Sequence, residues 1–233
     1  MFINYAHRGA SEYAPENTLL AFYLGIYMGA NGIETDVQLT KDGIAVLFHD
    51  DSLMRMTGKE GSICDYTFDQ LQKFCVKKNG YYDKIVKLED FIKHFYFFDI
   101  TFAIELKQRG TAKVTADLLR KYNIVNKVVI TSFIFDELRE VRAYAPEFKT
   151  GYLTNNIDDN LLAEMMALGI DEICPEAHLT TSDIVSKWHN MGFNVRAWGI
   201  YNEELMKQAY DSGCDGMTVN FPDRLNEYIG SCK

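Results

Sequence analysis

Four short stretches of this 233-residue chain carry side chains able to do chemistry: His7-Arg8-Gly9, Glu34 with Asp36, His49-Asp50, and Glu105 with Lys107. Glu34 and Asp36 lie two apart in a β-branched run that predicts a strand, so both carboxylates point to one face while Ile33, Thr35 and Val37 point to the other. Glu105 and Lys107 repeat that spacing, with Leu106 facing outward between them. Carboxylates directed into a small barrel are costly to bury unless a cation compensates them. An all-oxygen set of Glu34, Asp36 and Glu105 suits a hard ion, Mg²⁺ or Ca²⁺, rather than zinc. Glu34 sits about 6.6 Å deeper than Asp36 by strand rise, and its longer side chain makes up part of the difference. Arg8 and Lys107 offer a guanidinium fork and an ammonium for phosphate oxygens. His7 and His49 offer a proton-transfer pair, one taking a proton from an attacking oxygen and the other giving one to a leaving oxygen. Metal, basic clamp and acid/base pair together describe phosphoryl chemistry.

These residues act together only if the fold gathers the ends of separate strands. Strand patterns fall at residues 3–6, 32–37, 101–106, 127–132, 149–153, 171–174, 194–199 and 215–219. A helix begins near Asn17, and amphipathic stretches follow the later strands except the last, which has only a short tail. Eight such units predict an α/β fold, a closed (β/α)₈ TIM barrel whose active site is built at the C-terminal ends of the strands. An open doubly wound sheet is the alternative. Residues 36–39 and 44–48 predict a hairpin about the turn Thr40-Lys41-Asp42-Gly43, which returns the chain to His49 near the level of His7. Residues 52–87 read as a small insertion within a single domain spanning 1–233, and Leu161, Leu162, Met165, Met166 and Leu168 read as core.

A net charge of −9 argues against nucleic acid or an anionic membrane as the main partner and leaves a small molecule. No apolar run approaches the ~20 residues of a membrane-spanning helix. The start, Met-Phe-Ile-Asn-Tyr-Ala-His, shows neither a basic leader nor a cleavage site. Five cysteines without a C-x-x-C spacing suit a reducing compartment, hence a cytoplasmic protein. His94, His178 and His189 read as surface or capping residues, Glu176 as a rim or solvent-facing residue, and Asn202 as a helix N-cap.

The sequence resembles the glycerophosphodiester phosphodiesterase family, which is similar in layout to phosphatidylinositol-specific phospholipase C. The resemblance rests on His7-Arg8-Gly9, Ala14-Pro15-Glu16-Asn17-Thr18, residues 32–43 and His49-Asp50. It continues through Leu53, Arg55, Thr57, Glu105-Leu106-Lys107, Ser132-Phe133 and Trp198. It implies that Glu34, Asp36 and Glu105 bind one divalent cation, that His7 and His49 are the acid/base pair, and that Arg8 and Lys107 hold phosphate. Trp198 would form an apolar wall beside the glycerol, and residues 52–87 would be the small insertion that such enzymes carry. The implied reaction is hydrolysis of a glycerophosphodiester to glycerol phosphate and an alcohol, through a cyclic phosphate or by direct attack of water. Trp198-Gly199-Ile200-Tyr201 and Val219-Asn220 depart from the family's frequent Trp-Thr-Val-Asn and Thr-Asp. Both departures are expected to alter substrate details and to leave the proton-transfer positions untouched. One rival is a lysophospholipid-cleaving enzyme with a groove of Tyr81, Tyr82, Phe95, Tyr96, Phe97 and Phe98, although those aromatics read first as core packing. The other is a barrel that binds glycerophosphate without cleaving it.

Overall fold

The alternation of β-branched runs with amphipathic stretches closes into a ring. In the computed structural model, which describes residues 1–232, the chain begins β1 (Ile3–His7), α1 (Leu19–Tyr27), β2 (Gly32–Leu39), β3 (Ala45–Leu47). It continues α2 (Met54–Thr57), α3 (Phe68–Leu71), β4 (Val76–Lys78), β5 (Tyr81–Asp83), α4 (Leu88–Phe95), β6 (Thr101–Leu106), α5 (Ala112–Lys121). Then come β7 (Val128–Ser132), α6 (Phe135–Tyr144), β8 (Lys149–Thr154), α7 (Asp159–Leu168), β9 (Glu172–Pro175), α8 (Ser182–Asn190). The chain ends with β10 (Asn194–Ile200), α9 (Glu203–Asp211), β11 (Gly216–Val219) and α10 (Pro222–Ser231). β1, β2 and β6 through β11 are parallel, and the sheet closes because β1 bonds both β2 and β11. That closure is the predicted (β/α)₈ barrel and excludes the open sheet. β3 pairs antiparallel with β2, Val37 opposite Leu47, which is the predicted hairpin.

Local chemistry fixes the element starts. Thr18, Asp158, Thr181 and Asn202 each accept a backbone N–H at the head of α1, α7, α8 and α9, so Asn202 is the N-cap expected of it. The head of α5 is capped from another helix. The buried Glu137 carboxylate of α6 accepts the N–H groups of Gly110 at 2.7 Å, Thr111 at 3.2 Å and Ala112 at 3.0 Å. Glu137→Ala should therefore cost about 2–3 kcal/mol in urea unfolding; a change within about 0.5 kcal/mol would show that water replaces the cap.

Within residues 52–87, Leu53, Met56, Ile63, Leu71, Val76 and Ile85 bury one another against Val46 and Phe48, so the segment read as an insertion has an apolar cluster of its own seated on β3. The barrel's larger clusters lie between the sheet and its helices. Among the described residues no helix is long and apolar enough to cross a membrane.

Three expectations are corrected. The tail after β11 is a ten-residue helix, started by Pro222 at its first turn and docked through the fully buried Leu225. Met166 is exposed, because Leu162 and Met165 define the buried stripe of α7 and the next residue turns about 100° away. Of the six aromatics read as core, Phe95 is buried and Phe98 partly so, but Tyr81, Tyr82, Tyr96 and Phe97 are exposed. The first two lie on the short β4–β5 hairpin and the other two beyond the end of α4, where no further layer covers them.

Candidate active site

β1 ends in a turn that only its own residues allow. Gly9 has φ +81°, and a Cβ there would come within 2.4 Å of the Ala21 backbone, so the loop presses directly on α1. Arg8, beside it, is held at φ +56°. Its N–H donates to the Glu34 carbonyl at 2.9 Å, and its guanidinium meets Glu16 at 3.0 Å and Asp36 at 3.1 Å. The residue expected to hold phosphate is thus oriented by backbone strain and two carboxylates.

Glu34 and Asp36 on β2 and Glu105 on β6 meet at the same mouth, with Asp36 and Glu105 in register on adjacent strands. Their nearest oxygens lie within 4.8 Å of one another, and all three residues are buried. Asp36 Oδ2 accepts from Asn17 Nδ2 at 2.8 Å, while Asp36 Oδ1 is buried without a partner. A buried orphaned carboxylate oxygen within a group of three carboxylates is the donor set a hard divalent cation completes. The residues therefore fit such an ion.

The charges show the strain of a metal-free cluster. Burial, then the neighbouring Asp36, raises Glu34 well above the usual carboxylate range. The same two causes push Glu105 up to about 7 against the pull of Lys107, whose Nζ lies 3.0 Å away. Asp36 goes the other way: burial is outweighed by Arg8, His49 and Lys107, which hold its carboxyl well below the ordinary value.

The two imidazoles have different partners. His7 Nδ1 bonds Asn220 Oδ1 at 2.7 Å, and Ser11 Oγ donates to the same oxygen at 2.8 Å. An amide oxygen accepts, so Nδ1 carries the proton and Nε2 presents its lone pair. The His7 side chain keeps 29% of its surface open, yet burial against the barrel wall and the adjacent Arg8 push it down to about 3. His49 Nδ1 instead bonds a carboxylate, Asp50 Oδ1, at 2.8 Å. Arg55, then His49, holds Asp50 at about 2. Glu16, His49 and Asp50 form a second group with metal-like spacing, but the Arg55 guanidinium already spans it.

His7, Arg8, Glu34, His49 and Glu105 line one cavity of about 180 Å³, whose far wall is Phe133, Leu153 and Trp198. Trp198 is fixed by Nε1 donating to the Cys174 carbonyl at 3.0 Å and by an edge-on Phe133 ring at 5.1 Å. Arg196, two residues back on β10, lies in the floor, paired through Nε with Glu172 at 2.5 Å. A larger hollow of about 270 Å³ opens at the opposite mouth around Lys127, Lys149 and Asn194. None of the predicted site residues reaches it.

The model of the glycerophosphoryl diester phosphodiesterase family matches residues 7–224, from the first imidazole into the last helix. The chain belongs to that family. A glycerophosphodiester phosphodiesterase of Caldanaerobacter subterraneus subsp. tengcongensis is 31% identical over 94% of each chain. Among solved structures, an Oleispira antarctica phosphodiesterase in complex with the product sn-glycerol-3-phosphate has a TM-score of 0.88 at 26% identity, covering 98% of this chain and 96% of that one. A structure from Silicibacter pomeroyi shares the fold, with a TM-score of 0.91 at 21% identity over 100% of this chain and 94% of the other.

For this family member the structure brings together every residue singled out from the sequence: His7, His49, Arg8, Lys107, Trp198, Glu34, Asp36 and Glu105. One expectation about the departures from the family pattern is overturned. Asn220 does not leave the proton-transfer positions untouched, because its side chain bonds His7 directly. Sequence reasoning also passed over the supporting contacts of Glu16, Asn17, Arg55 and Phe133. All four lie in the motifs that carry the resemblance, which gave them no role of their own; Asn17 is held at a positive φ, +57°, just before the N-cap of α1. His94, His178 and His189 lie away from the cavity; His189 pairs with Asp215 at 2.9 Å and His178 faces Glu176 at 3.6 Å.

Proposed function

We propose that this chain hydrolyses glycerophosphodiesters to glycerol 3-phosphate and an alcohol, using one divalent cation, Mg²⁺ or Ca²⁺, held by Glu34, Asp36 and Glu105. The observation that carries the reading is the convergence of a carboxylate trio, two imidazoles and two basic groups on one small cavity at the barrel mouth. When bound, the cation supplies charge neutralisation at the phosphoryl oxygens. Arg8 and Lys107 hold the remaining phosphate oxygens, and Trp198 with Phe133 gives the glycerol carbons an apolar wall. His7, neutral and with Nε2 free, removes the proton from the attacking oxygen. His49, bonded to a carboxylate that matches the charge of an imidazolium, gives the proton to the departing alkoxide.

The size of the cavity favours a glycerol phosphate group, and none of Tyr81, Tyr82, Tyr96 and Phe97 lines it. Tyr96 and Phe97 lie between the end of α4 and the start of β6, hence at the opposite mouth of the barrel. A binding-only barrel has no use for two imidazoles aimed at the same space.

Stripping the protein with EDTA should abolish glycerol phosphate release from glycerophosphocholine, and Mg²⁺ or Ca²⁺ should restore it in the wild type but not in Glu34→Ala. Failure of every cation to restore release from a panel of glycerophosphodiesters would reject the substrate class. Equal release from stripped and loaded protein would reject the metal.

A further inference from the structure

The first helix of the insertion carries an arginine that the proposed chemistry leaves without a task. Arg55, on α2, bonds Asp50 through Nε at 2.6 Å and one terminal nitrogen at 2.8 Å. The same guanidinium bonds Glu16 through both terminal nitrogens, at 2.8 and 2.6 Å. Neither carboxylate is idle. Asp50 Oδ1 bonds His49 Nδ1 at 2.8 Å, and Glu16 Oε1 accepts from Arg8 at 3.0 Å. One guanidinium thus joins the loop that carries an imidazole after β3 to the loop that carries the phosphate-facing arginine after β1.

Arg55 does not line the cavity, and half of its side chain is exposed. It therefore acts through others. Without it the Glu16 and Asp50 carboxylates would face each other with nothing between them, and like charges at that range separate. A planar five-donor fork fixes two carboxylates in direction as well as distance, which a point charge cannot do. The insertion grips the same β1–α1 loop a second time: Lys78 Nζ donates to the Ser11 carbonyl, and Asn79 Nδ2 donates to that of Glu12 at 3.2 Å. Ser11 is the residue that bonds Asn220 beside His7. The insertion is built around both ends of the catalytic loop.

We propose that Arg55 is a positioning residue: by holding Asp50 and Glu16 in one fork it sets His49 and Arg8 at a fixed separation, so that the insertion determines the catalytic geometry. This rests on the phosphodiesterase reading above. The competing role is a surface tether, since half-exposed ion pairs contribute little on their own.

The test uses full-length Arg55→Ala and Arg55→Lys, measuring kcat and KM on glycerophosphocholine and on glycerophospho-p-nitrophenol, together with Tm. Displacing a reacting group by about 1 Å costs about 10²-fold, so kcat of Arg55→Ala on the choline ester should fall by about that factor. The loss on the nitrophenyl ester should be smaller, because its leaving group departs without a proton from His49. Sub-denaturing guanidinium chloride should restore part of the activity of Arg55→Ala where NaCl at the same ionic strength does not, because the half-open pocket readmits the missing fork. Arg55→Lys, with the charge but not the fork, should fall between alanine and wild type. An active wild type with Arg55→Ala within twofold of it would overturn the proposal. So would equal losses on both esters with a lowered Tm and no response to guanidinium. A further readout does not depend on turnover: the downfield Nδ1–H signal of His49 in ¹⁵N-histidine-labelled protein should vanish in Arg55→Ala and return with guanidinium. Its persistence unchanged would overturn the proposal even if wild type cleaved neither ester, whereas the inactivity itself would count only against the phosphodiesterase reading.

Discussion

His7→Ala is expected to slow cleavage of glycerophosphocholine by about 10³-fold, within the span measured for general acid–base groups. The size of the effect follows from how the ring is held. Asn220 Oδ1 fixes the proton on Nδ1, and burial with the nearby Arg8 lowers the ring's pKa, so at neutral pH the imidazole is uncharged and Nε2 presents a free lone pair to the attacking oxygen. The cavity's other imidazole, His49, is assigned to the leaving group. Glu34 Oε2 lies 3.9 Å from Nε2, but it belongs to the metal-facing trio. The two imidazoles should respond differently to the leaving group. On glycerophospho-p-nitrophenol His7→Ala should remain slow, because the attacking oxygen still needs a base. His49→Ala should recover most of its rate there, because nitrophenolate departs unprotonated. The reverse pattern, with rescue of His7→Ala and not of His49→Ala, would exchange the two roles.

The parts of this site written into short sequence intervals could be read without a structure. Glu34 with Asp36, and Glu105 with Lys107, announce their shared faces by the period of two, and the turn at Thr40-Lys41-Asp42-Gly43 announces the return to His49. The closed barrel followed from eight repeats of one strand–helix pattern. The contacts that polarise the site span other distances. Asn220 reaches His7 across 213 residues and Arg55 reaches Glu16 across 39, and no local pattern encodes a meeting made by barrel closure or by an insertion folding back. The same limit explains the aromatics: hydrophobicity showed that Tyr96 and Phe97 could be buried, but only the layer arrangement shows that nothing covers them.

Divalent-cation affinity should weaken by about tenfold for each pH unit below about 7, and more steeply where two protons are displaced. Glu105 is raised from its ordinary 4.5 to about 7, and Glu34 is also raised, so a cation binding to the trio would have to displace protons. Above about pH 7 Glu105 is already ionised and that part of the dependence should flatten. The stability linkage has the matching sign. A carboxyl whose folded value lies above its unfolded one binds more protons when folded. Its favourable contribution is therefore full below about pH 4.5 and lost as pH rises through about 7. Metal-free protein should accordingly lose stability across that window, and the cation should raise Tm more at pH 8 than at pH 5.5. Calorimetric titration of the stripped protein with Mg²⁺ or Ca²⁺ at pH 6 and pH 8, in buffers of different ionisation enthalpy, measures both the affinity and the protons released. Equal affinity at the two values with no proton release would mean that three carboxylates within 4.8 Å are all ionised before the metal arrives. Two basic groups, Arg8 and Lys107, would then have to offset three buried charges before the cation binds.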